Sequence, residues 1–215
     1  MGMLRLKRNP YDGKLLVFEG TDGAGKTTMI ALTRQLLEER YGKDRIVTVK
    51  QPTDMSRKTK LFQKMMYSGN HDDIDYRAVQ LLTMSDRVQH GSETIVPALA
   101  AGKIVISDRY VFTSLANMLA RGYRREKWFY CVAQHLLRPD ITFLSYVAPD
   151  LAIERIKGRP EERGRYLDET LLRHVAEEFC RMAKRERFTI LDTSRDPECA
   201  FRTVKEKLKK ESILI

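Results

Sequence analysis

The apolar positions along the chain follow two alternating patterns. Short, nearly continuous apolar runs occur at 14–19, 46–49, 104–106, 141–147 and 188–191. Runs of this length, bounded by Gly, Pro, Asn and Asp, read as strands buried on both faces. Between them, apolar residues recur every three or four positions, which is the helical period. Helices are predicted from residue 27 to 39, then at 56–66, 75–100, 112–120, 125–137, 151–157, 167–184 and 197–209. Within the long 75–100 pattern, Val79, Leu82, Ile95 and Leu99 are the expected core. Strands separated by helices predict an α/β fold, a five-stranded parallel sheet flanked by helices on both faces. Residues 1–13 read as a short polar N-terminal extension, and 14–215 as one domain without repeats, low-complexity tracts or an evident linker.

Chemistry enters at the junction of the first strand and first helix. Gly20-Thr21-Asp22-Gly23-Ala24-Gly25-Lys26-Thr27, followed by Thr28, fits G-x-x-x-x-G-K-[ST] residue for residue. A strand before it and a helix after it are the context a phosphate-binding loop needs. Gly20, Gly23 and Gly25 permit a tight turn in which backbone N–H groups converge on phosphate oxygens. The helix N-terminus adds partial positive charge at the same point. Lys26 supplies a cation for the outer phosphates of ATP, and the Thr27 hydroxyl a ligand for Mg²⁺. The pattern predicts a P-loop NTPase fold.

Composition narrows the class. The 215 residues are enough for one α/β core, and 42% hydrophobic with 32% charged residues is ordinary for a globular protein. No apolar run approaches a membrane span. Arg5, Lys7 and Arg8 near the start have no apolar segment behind them, so they do not read as a signal peptide. Cys131, Cys180 and Cys199 fit neither a disulfide framework nor a metal knuckle, and a cytoplasmic setting is expected. The net charge of +10 is largely local, in Arg121 to Arg125, Arg155 to Arg165 and Lys205 to Lys210. It fits a small polyanion such as a nucleotide, and no basic stripe interleaved with aromatics argues for nucleic acid.

A second constellation closes the third strand: Ser107-Asp108-Arg109-Tyr110. Ligands of open parallel sheets bind beyond the carboxyl ends of the strands. Asp108 is placed to reach Mg²⁺ directly or through water, and Arg109 to hold a phosphate with two donors. The chain has no N-K-x-D element of the kind expected of a GTPase. Gly158 to Arg165 is an arginine-rich loop and a candidate short lid. A small phosphate-loop protein with such a lid reads as a kinase of a small acceptor.

From residue 15 to about 208 the chain resembles the thymidylate kinase family of nucleoside monophosphate kinases. The resemblance rests on the loop Phe18 to Thr28, on Leu81-Leu82 through Asp86-Arg87-Val88-Gln89-His90 (the family's "LLFAADRxQH"), and on Ser107-Asp108-Arg109-Tyr110 with Ser114 and Ala116 ("DRY…S.A"). Pro139-Asp140 and Ile190-Leu191-Asp192 also fit. The resemblance implies transfer of the ATP γ-phosphate to the 5′-phosphate of dTMP with Mg²⁺, in a protein that is usually a homodimer. It implies that Lys26 and Thr27 hold ATP phosphates and metal, that Asp22 lies near the acceptor, that Arg109 clamps the acceptor phosphate, and that Arg87 reads the base edge. Ala24 leaves the loop without an arginine of its own, so Arg159 and Arg163 of the lid become the candidates to meet the transferring phosphoryl group.

Four departures sit on the acceptor side. The family's "REP" is Lys50-Gln51-Pro52, its base-stacking Phe is Thr83, its Tyr beneath the sugar is Asn117, and an arginine of the helix after "REP" falls on Gln63. Loss of a stacking aromatic removes about 1–3 kcal/mol unless another replaces it; Phe62, Tyr67 and Tyr110 are the substitutes in view. Asn117 could instead hydrogen-bond a hydroxyl. Thr83, Arg87, Arg109 and Asn117 are the expected acceptor residues. A different pyrimidine (ribo)nucleoside monophosphate stays open as acceptor, and below it a phosphate-loop regulatory or nucleic-acid-binding protein without kinase activity.

Overall fold

The computed structural model describes residues 4–160 and 164–214. Five parallel strands, β1 (Lys14–Glu19), β2 (Ile46–Lys50), β3 (Ile104–Asp108), β4 (Ile141–Tyr146) and β5 (Thr189–Asp192), form one sheet in the order β2-β3-β1-β4-β5. β1 is central, with Phe18 opposite Asp108 of β3 and Phe143 of β4. Successive strand side chains point to opposite faces. Leu15 and Val17 accordingly join one core layer, and Leu16 and Phe18 the other.

The first layer is covered by α4 (Tyr76–His90), α5 (Val96–Ala100), α6 (Val111–Ala120), α7 (Lys127–Ala133) and α9 (Glu169–Glu186). The second is covered by α1 (Lys26–Tyr41) and α10 (Pro197–Lys210). A third, smaller cluster packs Ala24 of the glycine loop against Ala152, Ile153 and Ile156 of α8 (Pro149–Lys157) and Leu172 of α9.

Two predicted helices are interrupted. The 56–66 helix is two pieces, α2 (Asp54–Arg57) and α3 (Lys60–Tyr67), because the Thr59 side chain accepts from the Phe62 N–H and starts a new helix there. The 75–100 helix carries a π-turn at Gly91–Ile95, where Val96 N–H donates to Gly91 O. Pro97 follows immediately; it has no N–H, and its ring crowds the carbonyl one turn back, so the helix widens there. The predicted 125–137 helix shortens to α7. Val79, Ile95 and Leu99 are core as expected, but Leu82 is only half-buried and Met84 takes the deep position. The extension is not free of the body: Leu4 is buried, its N–H donates to Glu186 Oε1 at 2.7 Å, and Lys7 pairs with Leu137.

Among the described residues, no helix is long and apolar enough to cross a membrane.

Candidate active site

The glycine loop begins where β1 ends, at the point in the sheet where the connections change direction. Gly20 has φ 137° and Gly23 φ 77°, outside the range side chains favour. A Cβ at Gly20 would lie 2.3 Å from Ser145 O, and one at Gly23 2.3 Å from Ala152 O. These contacts require glycine sterically as well as conformationally. Gly25 caps α1 without any side-chain hydrogen bond, so the first turn keeps its N–H donors facing the loop. The loop is braced from behind: Thr193 Oγ1 donates to Ala24 O at 2.9 Å, and Arg155 reaches Thr193 O at 3.0 Å and Gly23 O at 3.4 Å.

Lys26 is buried, and its Nζ donates to Gly20 O at 3.0 Å and Thr21 O at 2.7 Å. Burial lowers its pKa to about 8, Arg109 adding to the effect while Asp22, Asp108 and Glu19 oppose it. Thr21 is buried beside it, while the Thr27 and Thr28 side chains stand exposed at the head of α1. Thr27 lines a cleft of about 610 Å³ that runs from the loop along α4 and α6 to the segment around Arg165.

Asp22 sits at the centre of the charge. Arg109 Nη2 meets its Oδ1 at 2.5 Å, and Arg165 Nη2 meets its Oδ2 at 3.1 Å. Burial raises the carboxyl's pKa, but Arg109, Lys26 and Arg165 together outweigh it and hold the group well below the usual carboxylate range. Arg109 has φ 69°, an uncommon conformation for a residue with a side chain. It is held there by its own N–H to Phe18 O at 2.9 Å and by Nη1 to Gly20 O at 2.8 Å. Arg57 joins the group from α2, anchored by its Nε to Pro52 O at 2.6 Å.

Asp108 closes β3 beside the loop. Its Oδ2 lies 3.8 Å from Lys50 Nζ, and its buried Oδ1 has no hydrogen-bond partner. An orphaned carboxylate oxygen on a residue that lines the same cleft as Thr27 fits a hard cation that takes one or two protein oxygens and completes its shell with phosphate and water, as Mg²⁺ does.

The other half of the cleft lies between antiparallel stretches of α4 and α6. Arg87 is almost fully buried, with Nη1 to Thr83 O and Nη2 to Tyr110 O, both at 3.1 Å, and an unpartnered Nε. Burial lowers its pKa to about 10, with Glu19 and Asp86 opposing. It remains a cation at neutral pH. One helical face presents Tyr76, Gln80, Thr83 and Arg87 to the cleft; the facing turn of α6 presents Thr113, Ser114, Asn117 and Arg121. The Asn117 side chain is engaged, donating to Thr113 O at 3.0 Å and accepting from Arg121 Nη1 at 2.9 Å. Arg121 stacks over Tyr76 at 3.8 Å.

Of the three substitute aromatics, only Phe62 lines the cleft. Tyr110 points away, its hydroxyl bonded to Leu137 O at 3.0 Å, and Tyr67 is exposed. Arg159 lines the cleft. Arg163 lies outside the described residues. Among the described residues of the 158–165 loop, Arg165 reaches Asp22; motif reading passed it over along with Arg57, Tyr76 and Arg121. Arg165 had a signal, being the third arginine of the same loop. The others had none, because spacing within one helix does not say which residues face a neighbour.

A phosphate loop on a parallel sheet, opening into a cleft whose other half is walled by arginines and helices, defines a P-loop kinase acting on a small acceptor. A family model described as thymidylate kinase matches residues 18–204, and the chain belongs to that family. It is 35% identical over 175 residues to a probable thymidylate kinase of Thermococcus kodakarensis, spanning 79% of this chain and 83% of that one. It is 36% identical over 200 residues to the thymidylate kinase of Geobacillus thermodenitrificans, spanning 88% and 87%. The fold matches the crystal structure of thymidylate kinase from Ehrlichia chaffeensis with a TM-score of 0.69 at 24% identity, over 92% of this chain and 98% of that one. Family membership makes the chain an ATP-dependent nucleoside monophosphate kinase.

Proposed function

We propose that the protein transfers the γ-phosphate of ATP to dTMP, giving dTDP and ADP. The observation that carries the reading is the convergence of Arg109 and Arg165 on Asp22, with the Lys26 ammonium on the neighbouring Gly20 and Thr21 carbonyls, between the glycine loop and a cleft floored by buried Arg87. Two anionic phosphates repel, and a kinase must hold them in line while neutralising their charge. In this reading the loop from Gly20 to Thr28 binds ATP, and Lys26 follows the transferring group. Arg109, supported by Arg57, holds the acceptor phosphate. Arg87 donates to the base edge, Phe62 supplies the apolar face missing at Thr83, and Asn117 lines the sugar. Arg165 joins Arg159 and Arg163 as a lid cation. Thr27 and Asp108 would hold Mg²⁺, which supplies charge neutralisation at the phosphates when bound.

We also assign 14–215 to a single kinase domain with its lid at about 158–165, and 1–13 to an extension. A homodimer through α4, α6 and α7 and a cytoplasmic setting complete the reading. The test is an acceptor screen with ATP, Mg²⁺ and each common nucleoside and deoxynucleoside monophosphate, following ADP. The reading expects dTMP to give the highest kcat/KM. Turnover of CMP or UMP without dTMP would reject the acceptor and keep the kinase.

A further inference from the structure

Glu19 stands out among the buried groups that the proposed mechanism does not use. It is the last residue of β1 and the chain neighbour of Gly20, and its side chain is wholly buried. Its Oε1 accepts from the backbone N–H of Tyr110 at 2.9 Å and of Thr113 at 3.2 Å, and its Oε2 accepts from the Thr113 hydroxyl. These are the donors at the start of α6, whose own N-cap residue, Tyr110, makes no side-chain cap. A helix is ordinarily capped by a short polar residue at its own N-terminus. Here the cap comes from another element, and burying its charge is unfavourable: desolvation pushes the Glu19 carboxyl up to about 7, against the Thr113 hydrogen bond and the fields of Arg109 and Arg87.

A remote cap does what a local one cannot. The Thr113 hydroxyl donates to Glu19 and accepts from Arg109 Nη1 at 3.2 Å, and that same Nη1 reaches Gly20 O at 2.8 Å. The strand that delivers the phosphate loop, the helix that walls the acceptor cleft and the arginine between them thus share one hydrogen-bonded link. We propose that Glu19 is a positioning residue for phosphoryl transfer: through Tyr110 and Thr113 it sets the start of α6 and the Arg109 side chain against the phosphate loop, aligning acceptor with donor. The proposal rests on the kinase reading of the cleft.

The test compares Glu19→Gln, Thr113→Val and Thr113→Ser in the full chain, measuring melting temperature, affinity for a non-hydrolysable ATP analogue, and kcat and KM for the acceptor. Glu19→Gln turns one acceptor oxygen into a donor facing donors. It should keep analogue affinity within about threefold while lowering kcat/KM for the acceptor about a hundredfold, the scale expected when reacting groups shift by about 1 Å. Thr113→Val should reproduce part of that loss, and Thr113→Ser, which restores the hydroxyl, should recover it. The charges facing Glu19 are Arg109, Arg87 and Lys26, so an ionisation near neutral pH in the wild-type kcat/KM profile should vanish in Glu19→Gln. If Glu19→Gln does not fold, the Thr113 pair decides. Wild-type turnover with both Thr113 variants unchanged overturns the proposal and leaves the kinase reading standing. Absence of wild-type turnover with every monophosphate overturns the kinase reading itself.

Discussion

The two halves of the cleft are built on different principles. The half proposed to take ATP is a backbone device: one contiguous stretch, Gly20 to Thr28, in which Gly20 and Gly23 meet the Ser145 and Ala152 carbonyls so closely that no side chain fits. The half proposed to take the acceptor is a side-chain device, assembled from α2, α3, α4, α6 and the segment around Arg165, which are far apart in sequence. A backbone device tolerates little variation, and the loop keeps its family pattern. A side-chain device can be rebuilt one residue at a time. Of the residues in the four departures, Lys50, Thr83 and Asn117 line the cleft, whereas Gln51 is buried against His90 and Gln63 is exposed, its amide donating to Arg57 O; the Asn117 side chain is engaged by Thr113 and Arg121.

That contrast can be broken experimentally, beginning with the largest effect. Lys26→Ala should reduce turnover of every acceptor by at least about a thousandfold, since it removes a buried cation at the transferring group; an acceptor-dependent loss in steady-state assays would erase the distinction between the halves. Arg87→Ala should raise the acceptor KM by about tenfold or more, the scale of one lost charge-assisted hydrogen bond, with ATP KM unchanged. Arg165→Ala should lower kcat by about tenfold and exceed the effect of Arg159→Ala, since only Arg165 pairs with Asp22 among these two. Equal effects would mean that the lid acts as a diffuse field.

The remaining predictions concern pH. Lys26 has a pKa of about 8, and phosphates favour its charged form. Above that pH, binding must take up a proton, so ATP affinity should fall as pH rises past about 8, while acceptor affinity is less affected; titration calorimetry in buffers of different ionisation enthalpy reads the proton directly. For folding, Glu19 is raised from 4.5 to about 7, so the native state favours its protonated form. Its contribution is fully present below 4.5 and lost as pH rises through about 7, a window in which Glu19→Gln should flatten the melting-temperature profile. Asp22 has the opposite sign, its contribution present above 3.8 and lost on acidification.

The strands, the phosphate loop and the Asp108-Arg109 pair were legible because each is encoded locally, by apolar runs, by glycine spacing and by a charge at a strand end. The break at Thr59 and the π-turn ahead of Pro97 were written in single residues that a periodicity window averages away. Phe62 could not be chosen over Tyr67 and Tyr110, because all three are aromatic residues near the right elements and only packing decides which one faces the cleft. Leu82 packs against the core only partly buried for a related reason: α4 turns Gln80, Thr83 and Arg87 inward.

By itself, then, the amino-acid sequence determined a parallel α/β sheet, a phosphate loop at its first strand and membership of a nucleotide kinase family. It could do so because backbone conformation and burial period depend on neighbours along the chain. Only the tertiary structure decided that Arg165 reaches Asp22, that Arg57 and Arg121 enter the cleft, and that Glu19 caps a helix 91 residues away. Those contacts depend on how whole elements are rotated and packed, and no local pattern records that.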